Sequence, residues 1–444
     1  MIHAYPHDLA HFIQQHWAEA QCVGDFCRLS DGGDSDPLPE LPVLEQLLST
    51  CYQASLMHEE ERPVRFRLIL RDPERFNPHQ GPPTGLHRLV FTKSRPFDEH
   101  ELRRLSPAAD FYHSLIGVNL QEDGHPRIWG LVHSGPYWIQ AIQGRRRSFF
   151  PLPGSLVVSV TDPGLITAAK GSVTIGKIFR GGMITPSTGV FGSQWLQESF
   201  AENRMELFDL HGAARSAARK PWARLSPNFP GLIIQRMARQ VISTIRNSHH
   251  GGTLIFLPPE ECHNAEDRRQ CLEIKYPFVE EEPRQRIRTL ILHYMNALAA
   301  ACGSRTNSKE HVGWLDYMEC DQSAFSQLDE AIVELTNLVA RLSAVDGAVV
   351  LTNRLELLGF GGEISGQLVS IPLVARALDA EAAQTQPIST EGVGTRHRSA
   401  YRLCNTVHDA IAVVVSQDGG VQFVKWKDGE VVFWDQVATS DLDV

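Results

Sequence analysis

Gly252-Thr-Leu-Ile-Phe-Leu257, preceded by Asn247-Ser-His-His-Gly251 and closed by Pro258 and Pro259, is a short, continuously apolar run. Its length and its turn-residue borders suit a strand buried on both faces better than a helix. Upstream, Leu232, Ile233, Met237, Val241, Ile242 and Ile245 form one apolar stripe at helical spacing. Downstream, two amphipathic helices are expected, one near 284–302 with Ile287, Leu290, Ile291, Tyr294 and Leu298 inward, the other near 323–342 with Leu328, Ile332, Leu335, Val339 and Leu342 inward. Five strand candidates follow, at Ala348–Leu351, Leu368–Ile371, Ala410–Val415, Val421–Val424 and Val431–Trp434. Interleaved strands and helices predict an α/β domain over 228–444, a mixed sheet flanked by helices.

Toward the N-terminus the pattern changes. Val64–Leu70, Leu115–Val118, Ile128–Val132, Leu156–Val160 and Val173–Ile178 are short apolar runs between turn residues. Helical spacing precedes them at 7–20 and 43–57, with a Gly/Asp/Pro loop from Asp31 to Pro42. An α+β, β-rich domain is expected over 1–190. Between the two domains, 191–227 is helical and basic (Arg215, Arg219, Lys220, Arg224), is broken by Pro221 and Pro227, and is read as a helical connector.

A chain of 444 residues exceeds one ordinary core, and 42% hydrophobic with 21% charged residues is a globular balance. The formal charge of −10 argues against a broad basic surface for nucleic acid. No apolar run reaches the roughly 18 residues of a membrane span, so no membrane partner is expected and the location is expected to be cytoplasmic. The eight cysteines contain no CxxC pair, which fits neither a zinc module nor a secreted disulfide framework.

Two polar segments fall where strand and helix ends should lie. Asp346-Gly-Ala348 stands at the mouth of the Ala348–Leu351 strand, where a carboxylate could hold Mg²⁺ or Mn²⁺ against a triphosphate and Gly347 leaves the backbone approachable. Asp-Gly is also a common turn dipeptide. Gly394-Thr-Arg-His-Arg398 precedes a stretch able to form a helix, so it should occupy a helix N-terminus, where free N–H groups favour phosphate and Arg396 and Arg398 add charge-assisted bonds. His397 could bond a phosphate or carry a proton. Gly171–Ile178 nearly spells a phosphate loop but lacks the Ser or Thr after Lys177, and its flanks alternate as a hairpin would. Gly359–Ile364 lacks the third glycine of a dinucleotide fingerprint, and His249-His250 and Cys262-His263 have no partners at ligand spacing.

In order, the opening helix, the Gly-led strand, Asp-Gly-Ala, Gly-Thr-Arg-His-Arg-Ser-Ala and a Val-Val-Val-Ser strand end resemble the diadenylate cyclase family, with its DisA-type nucleotide-binding domain. The resemblance implies an enzyme that condenses two ATP into cyclic di-AMP and two pyrophosphates. It implies Asp346 as metal ligand and activator of the ribose 3′-hydroxyl, with Mg²⁺ or Mn²⁺ as cofactor. Gly347 and Ala348 would lie against ATP, Thr395, Arg396, His397 and Arg398 would contact ribose and phosphates, and Ser416 and Phe360 would line the nucleotide. It further implies a homodimer or higher oligomer, because each subunit holds one ATP. Gln417 stands where the family often has Glu, and Leu373–Gln386 reads as an inserted Ala-rich helix. A nucleotide-binding protein without catalysis is therefore the alternative, and a scaffold that only dimerises a second. The Ile128–Gly135 stretch and its β-rich surroundings resemble the sensor domain that accompanies some of these cyclases, with an unknown ligand or protein as its partner.

Overall fold

The chain divides into two units, one ending at Pro186 and one running Ser187–Thr439. The structure, a computed structural model, describes residues 3–20, 35–81, 85–111, 113–135, 152–171, 173–179, 181–184, 190–259, 270–303, 311–320, 323–417 and 419–435.

In the first unit, α1 (Pro6–His16) and α2 (Leu41–Ser55) lead to a two-residue ribbon, β1 (His58–Glu59) and β2 (Arg62–Pro63). Then come β3 (Phe66–Leu70), β4 (His87–Pro96), α3 (Glu99–Leu105), β5 (Ser114–Leu120), β6 (Pro126–His133), β7 (Leu156–Asp162), β8 (Leu165–Lys170), β9 (Val173–Phe179) and β10 (Gly182–Ile184). Eight strands form one sheet in the order β10-β9-β8-β7-β3-β5-β6-β4, with β3 and β5 parallel and the other pairs antiparallel. Because side chains alternate along a strand, Phe66, Leu68, Val158, Val160, Ile166 and Ala168 share the face that packs on Leu9, Ile13, Leu44, Leu47 and Leu48 of α1 and α2. Each of the Phe, Leu, Ile and Val side chains among them, fully buried, contributes about 1.5–3 kcal/mol. The opposite face holds a smaller apolar cluster of Ile69, Leu115, Trp129, Val132 and Val157.

The second unit opens with α4 (Gln194–Ser199), α5 (Ala201–Ala217) and α6 (Phe229–Asn247). It continues through β11 (Gly252–Leu257), β12 (Leu272–Pro277), α7 (Glu281–Ala301), α8 (Trp314–Glu319), α9 (Ser323–Leu342), β13 (Ala348–Thr352) and β14 (Leu357–Ile364). It ends with β15 (Leu373–Ala377), β16 (Thr385–Ser389), α10 (Thr395–Thr406), β17 (Ile411–Val415), β18 (Val421–Lys427) and β19 (Glu430–Asp435). The nine strands run β12-β14-β13-β11-β17-β18-β19-β15-β16, and β11 with β13 and β15 with β19 are the parallel pairs, so the sheet is mixed. α10 covers one face, packing Ala400, Tyr401, Leu403 and Cys404 on Ile255, Val350, Val414 and Val424. On the other face Phe256 meets Phe200 ring to ring, and Gly252 lies close to Ile245 of α6 and to Ser343. Behind that face, α6, α7 and α9 pack together around buried Asp329, which accepts hydrogen bonds from Tyr294 (2.5 Å), Tyr317 (2.5 Å) and Arg236 (3.3 Å).

Three expectations change. The stretch 191–227 packs into the second unit: Trp195 stacks on Trp434 at 4.5 Å, Arg288 binds Glu206 at 2.6 Å, and the His211 ring bonds Asn296 at 2.7 Å. The expected helix over Leu373–Gln386 is the hairpin β15–β16 instead. Pairing of Ala375 with Val432 draws the chain into the sheet, and Asp379 accepts three backbone N–H bonds in a turn, so tertiary pairing overrides the helix preference of alanine. The strand expected at Leu368–Ile371 begins only after Pro372, at Leu373. No helix among the described residues is long and apolar enough to cross a membrane.

Candidate functional site

Gly347 explains the start of β13. Its φ is +110°, and a Cβ there would lie 2.6 Å from the Gly361 carbonyl carbon and 2.9 Å from the Gly362 nitrogen. A side chain is thus excluded on two grounds, backbone conformation and space. β14 answers with its own irregularity: Gly361 has φ +66° and the β13–β14 register shifts between Ala348 and Val350. The two chains meet closely, and Asp346 is left exposed beside them. Its charge, together with Glu363, acts on Lys275: Lys275 Nζ bonds Glu363 at 2.5 Å, and that bond above all holds the ammonium above its ordinary range, opposed by burial and helped to a lesser degree by the charges of Glu363 and Asp346.

Sheet register assembles the rest. β11 runs parallel to β13, with Leu254 opposite Val349, and antiparallel to β17, with Gly252 opposite Val415. The starts of β11 and β13 and the end of β17 therefore share one end of the sheet. Gly251 (φ +64°) lies there, and a Cβ on it would stand 2.7 Å from the Val415 carbonyl oxygen and 3.0 Å from Arg396 Nη1. The guanidinium of Arg396 thus reaches the same sheet end from the first turn of α10. That helix begins at Thr395 with Gly394 as its cap, so Thr395, Arg396, His397 and Arg398 occupy a helix N-terminus; Arg396 and Arg398 are exposed and His397 is half-buried.

Ser416 is at this end too, and its N–H and hydroxyl both donate to the Gly420 carbonyl, closing the β17–β18 hairpin. Phe360 lies one strand beyond β13. Its ring stacks on Tyr276 at 4.7 Å and 21°, with Phe278 at 6.0 Å, and Tyr276 is exposed. The structure thus brings Asp346, Gly347, Ala348, Arg396 and Ser416 to one end of the sheet. Lys275, Tyr276 and Gly251 join that region unforeseen by the sequence. The Gly251-Gly252 pair was the available signal, since consecutive glycines before a buried strand mark close backbone approach. His249 and His250, set aside for want of ligand spacing, are exposed and immediately precede Gly251.

Among the described residues no three His, Cys, Asp or Glu side chains converge as a metal site. A single exposed carboxylate matches a hard cation that takes its other oxygens from phosphates and water. Cys404, on α10, is no nucleophile: burial pushes its thiol up to about 12. Gly171 follows β8 directly and Val173 to Ile178 lie in β9, which pairs antiparallel with β8, a hairpin as expected. Cys262, His263 and Asp418 lie outside the described residues.

Residues 33–133 match the family model described as "Probable sensor domain DACNV". A sensor domain of DACNV type is thus present in the first unit, and the match ends at His133, inside the stretch that resembled a cyclase-associated sensor. The matched DACNV segment contains α2, α3 and β1 through β6. It also holds Arg71, whose guanidinium bonds buried Asp36 at 2.8 Å, a pair to which Ser155 adds its hydroxyl from β7's leading edge. No curated protein matches the chain, and no solved structure matches it.

Proposed function

We propose that the second unit is a nucleotidyltransferase of the diadenylate cyclase type, joining two ATP into cyclic di-AMP under the influence of the DACNV sensor domain. The observation that carries this reading is that one end of one sheet holds both Asp346, at the start of β13, and the Arg396 guanidinium, which reaches Gly251 from the first turn of α10. In it, Arg396 and Arg398, at the N-terminal end of α10, hold the triphosphate. Asp346 orients the ribose 3′-hydroxyl and supplies an oxygen ligand. Mg²⁺ or Mn²⁺, when bound there, neutralises phosphate charge as a Lewis acid. The exposed ring of Tyr276 on Phe360 offers adenine a stacking surface.

Cyclisation needs two such sites. Each 3′-oxygen attacks the α-phosphorus of the other nucleotide, a new P–O bond forms, and the bond to pyrophosphate breaks, twice. Two chains related by a two-fold axis present both nucleotides in register, so proximity supplies much of the rate. Turnover per chain then rises with concentration as dimers form, and a monomeric preparation with full activity would contradict the dimer.

The test is product analysis. Full-length protein incubated with ATP and Mg²⁺ or Mn²⁺ yields cyclic di-AMP by mass, and Asp346→Asn yields none while keeping the wild-type circular dichroism. ATP left unchanged would favour the alternative that Gln417 suggests, a nucleotide-binding unit without catalysis.

A further inference from the structure

We propose that α5 is a releasable clasp on the second unit: it undocks as one piece while the sheet stays folded, and when docked it holds the turn between β13 and β14. The buried side of α5 is a single stripe at one-turn spacing, Asn203, Leu207 and His211. Two of its three residues are polar. Asn203 is 1% exposed, and both polar atoms of its amide are buried with no hydrogen-bond partner among the described residues. His211 is 4% exposed; Nδ1 bonds Asn296 at 2.7 Å, and Nε2 is buried without a partner among the described residues. Each buried polar atom left unpaired costs stability, and water supplies the missing bonds once the helix lifts. The apolar Met205 and Leu210 meanwhile stay outside, 62% and 49% exposed. α6 and α7 are built the opposite way, burying Ile233, Met237 and Ile245 in one and Leu290, Ile291 and Leu298 in the other. Local stability follows buried apolar contact, so α5 opens before either of them.

Ion pairs show what the clasp grips. Glu202 of α5 meets Arg354 at 2.6 Å, Glu206 reaches both Arg354 (3.3 Å) and Arg288 (2.6 Å), and Arg288 in turn meets Glu356 at 3.7 Å. Arg354 and Glu356 lie in the turn that joins the end of β13 at Thr352 to the start of β14 at Leu357. These pairs are partly exposed, so water replaces them at little cost, as a reversible contact requires. From that turn β13 leads back to Gly347 and Asp346, and β14 leads on to Gly361. A helix that fixes the turn therefore restrains the two strands whose close approach frames the candidate site. α5 belongs to the stretch that follows the first unit in the chain. Regulation through it rests on the proposed cyclase and its sensor domain, whereas the release of the helix does not.

Hydrogen exchange followed peptide by peptide in the full-length protein tests it. Amides of α5 are expected to exchange at least about tenfold faster than those of α6 and α7. Asn203→Leu removes the orphaned amide and makes the stripe more apolar, so it slows exchange in α5 and in the 352–357 turn about tenfold and leaves β17 and β18 unchanged. Glu206→Gln, which needs no new packing, gives the opposite reading. It speeds exchange in α5 and the turn about threefold, while Arg288 keeps Glu356 and Arg354 keeps Glu202. Exchange in α5 as slow as in α6, equal slowing of every segment of the second unit in Asn203→Leu, or a 352–357 turn indifferent to both variants overturns the proposal. Product formation from ATP is read separately, so failure of the cyclase reading leaves this result intact.

Discussion

Gly347→Ala isolates the backbone requirement at the start of β13. At φ +110° an alanine occupies a region that L-residues rarely adopt, which costs about 1–3 kcal/mol. Its Cβ would also stand 2.6, 2.8 and 2.9 Å from three backbone atoms of Gly361 and Gly362. Those atoms belong to a paired strand and cannot swing aside as a side-chain tip can, so overpacking adds about 1–3 kcal/mol. A loss of about 3 kcal/mol is expected, and for a unit of this size each kcal/mol lowers the midpoint by about 2–4 °C, giving a fall of roughly 6–12 °C. Calorimetric melting of the full-length protein measures it. Asp346→Ala is the control: the residue is exposed, so the midpoint should move by less than about 2 °C while product formation is lost. An unchanged midpoint in Gly347→Ala would refute the close approach of β13 and β14, and a large fall in Asp346→Ala would make Asp346 structural.

Asp329→Ala should destabilise the second unit by about 3–5 kcal/mol, because it removes the buried carboxylate that accepts from Arg236 and from two tyrosine hydroxyls; a loss under about 1 kcal/mol in urea unfolding would contradict that network. His211 gives a pH dependence. Burial, aided by Arg215 and opposed by the Asn296 bond, holds its pKa below the ordinary value, so the unfolded chain binds the proton more readily than the folded one. The stability from a neutral His211 is therefore full above about pH 6.5 and is lost as pH falls from there toward the folded pKa. Urea midpoints at pH 7.5 and 5.5 should diverge in wild type and converge in His211→Gln; equal divergence in both would place the titration elsewhere.

Long, periodic elements were legible in the sequence. The stripes of α6, α7 and α9 and the apolar runs of β11, β13 and β17 to β19 announce themselves because burial on one or both faces dictates every residue. Strands β12, β14 and β16 were hidden. β14 carries Gly359, Gly361 and Gly362, chosen for close approach and a shifted register, and β12 and β16 lie toward the sheet's two margins, where burial imposes little pattern. The candidate site shows the same division. Asp346 and the Thr395–Arg398 run could be named from local chemistry, whereas the approach of Arg396 to Gly251 depends on a register between strands far apart in the chain. Likewise the grip of α5 on the β13–β14 turn is invisible in sequence, because Glu202 and Arg354 lie far apart in the chain and become neighbours only in the folded unit.

Calorimetric titration of a non-hydrolysable ATP analogue, with and without Mg²⁺, tests most directly whether the sheet end between Asp346 and α10 holds a nucleotide. The account predicts one analogue per chain, binding at least about tenfold weaker in Arg396→Gln with or without metal, and weaker in Asp346→Asn only when Mg²⁺ is present. No heat of binding in the wild type, or the same affinity in all three proteins, would contradict it.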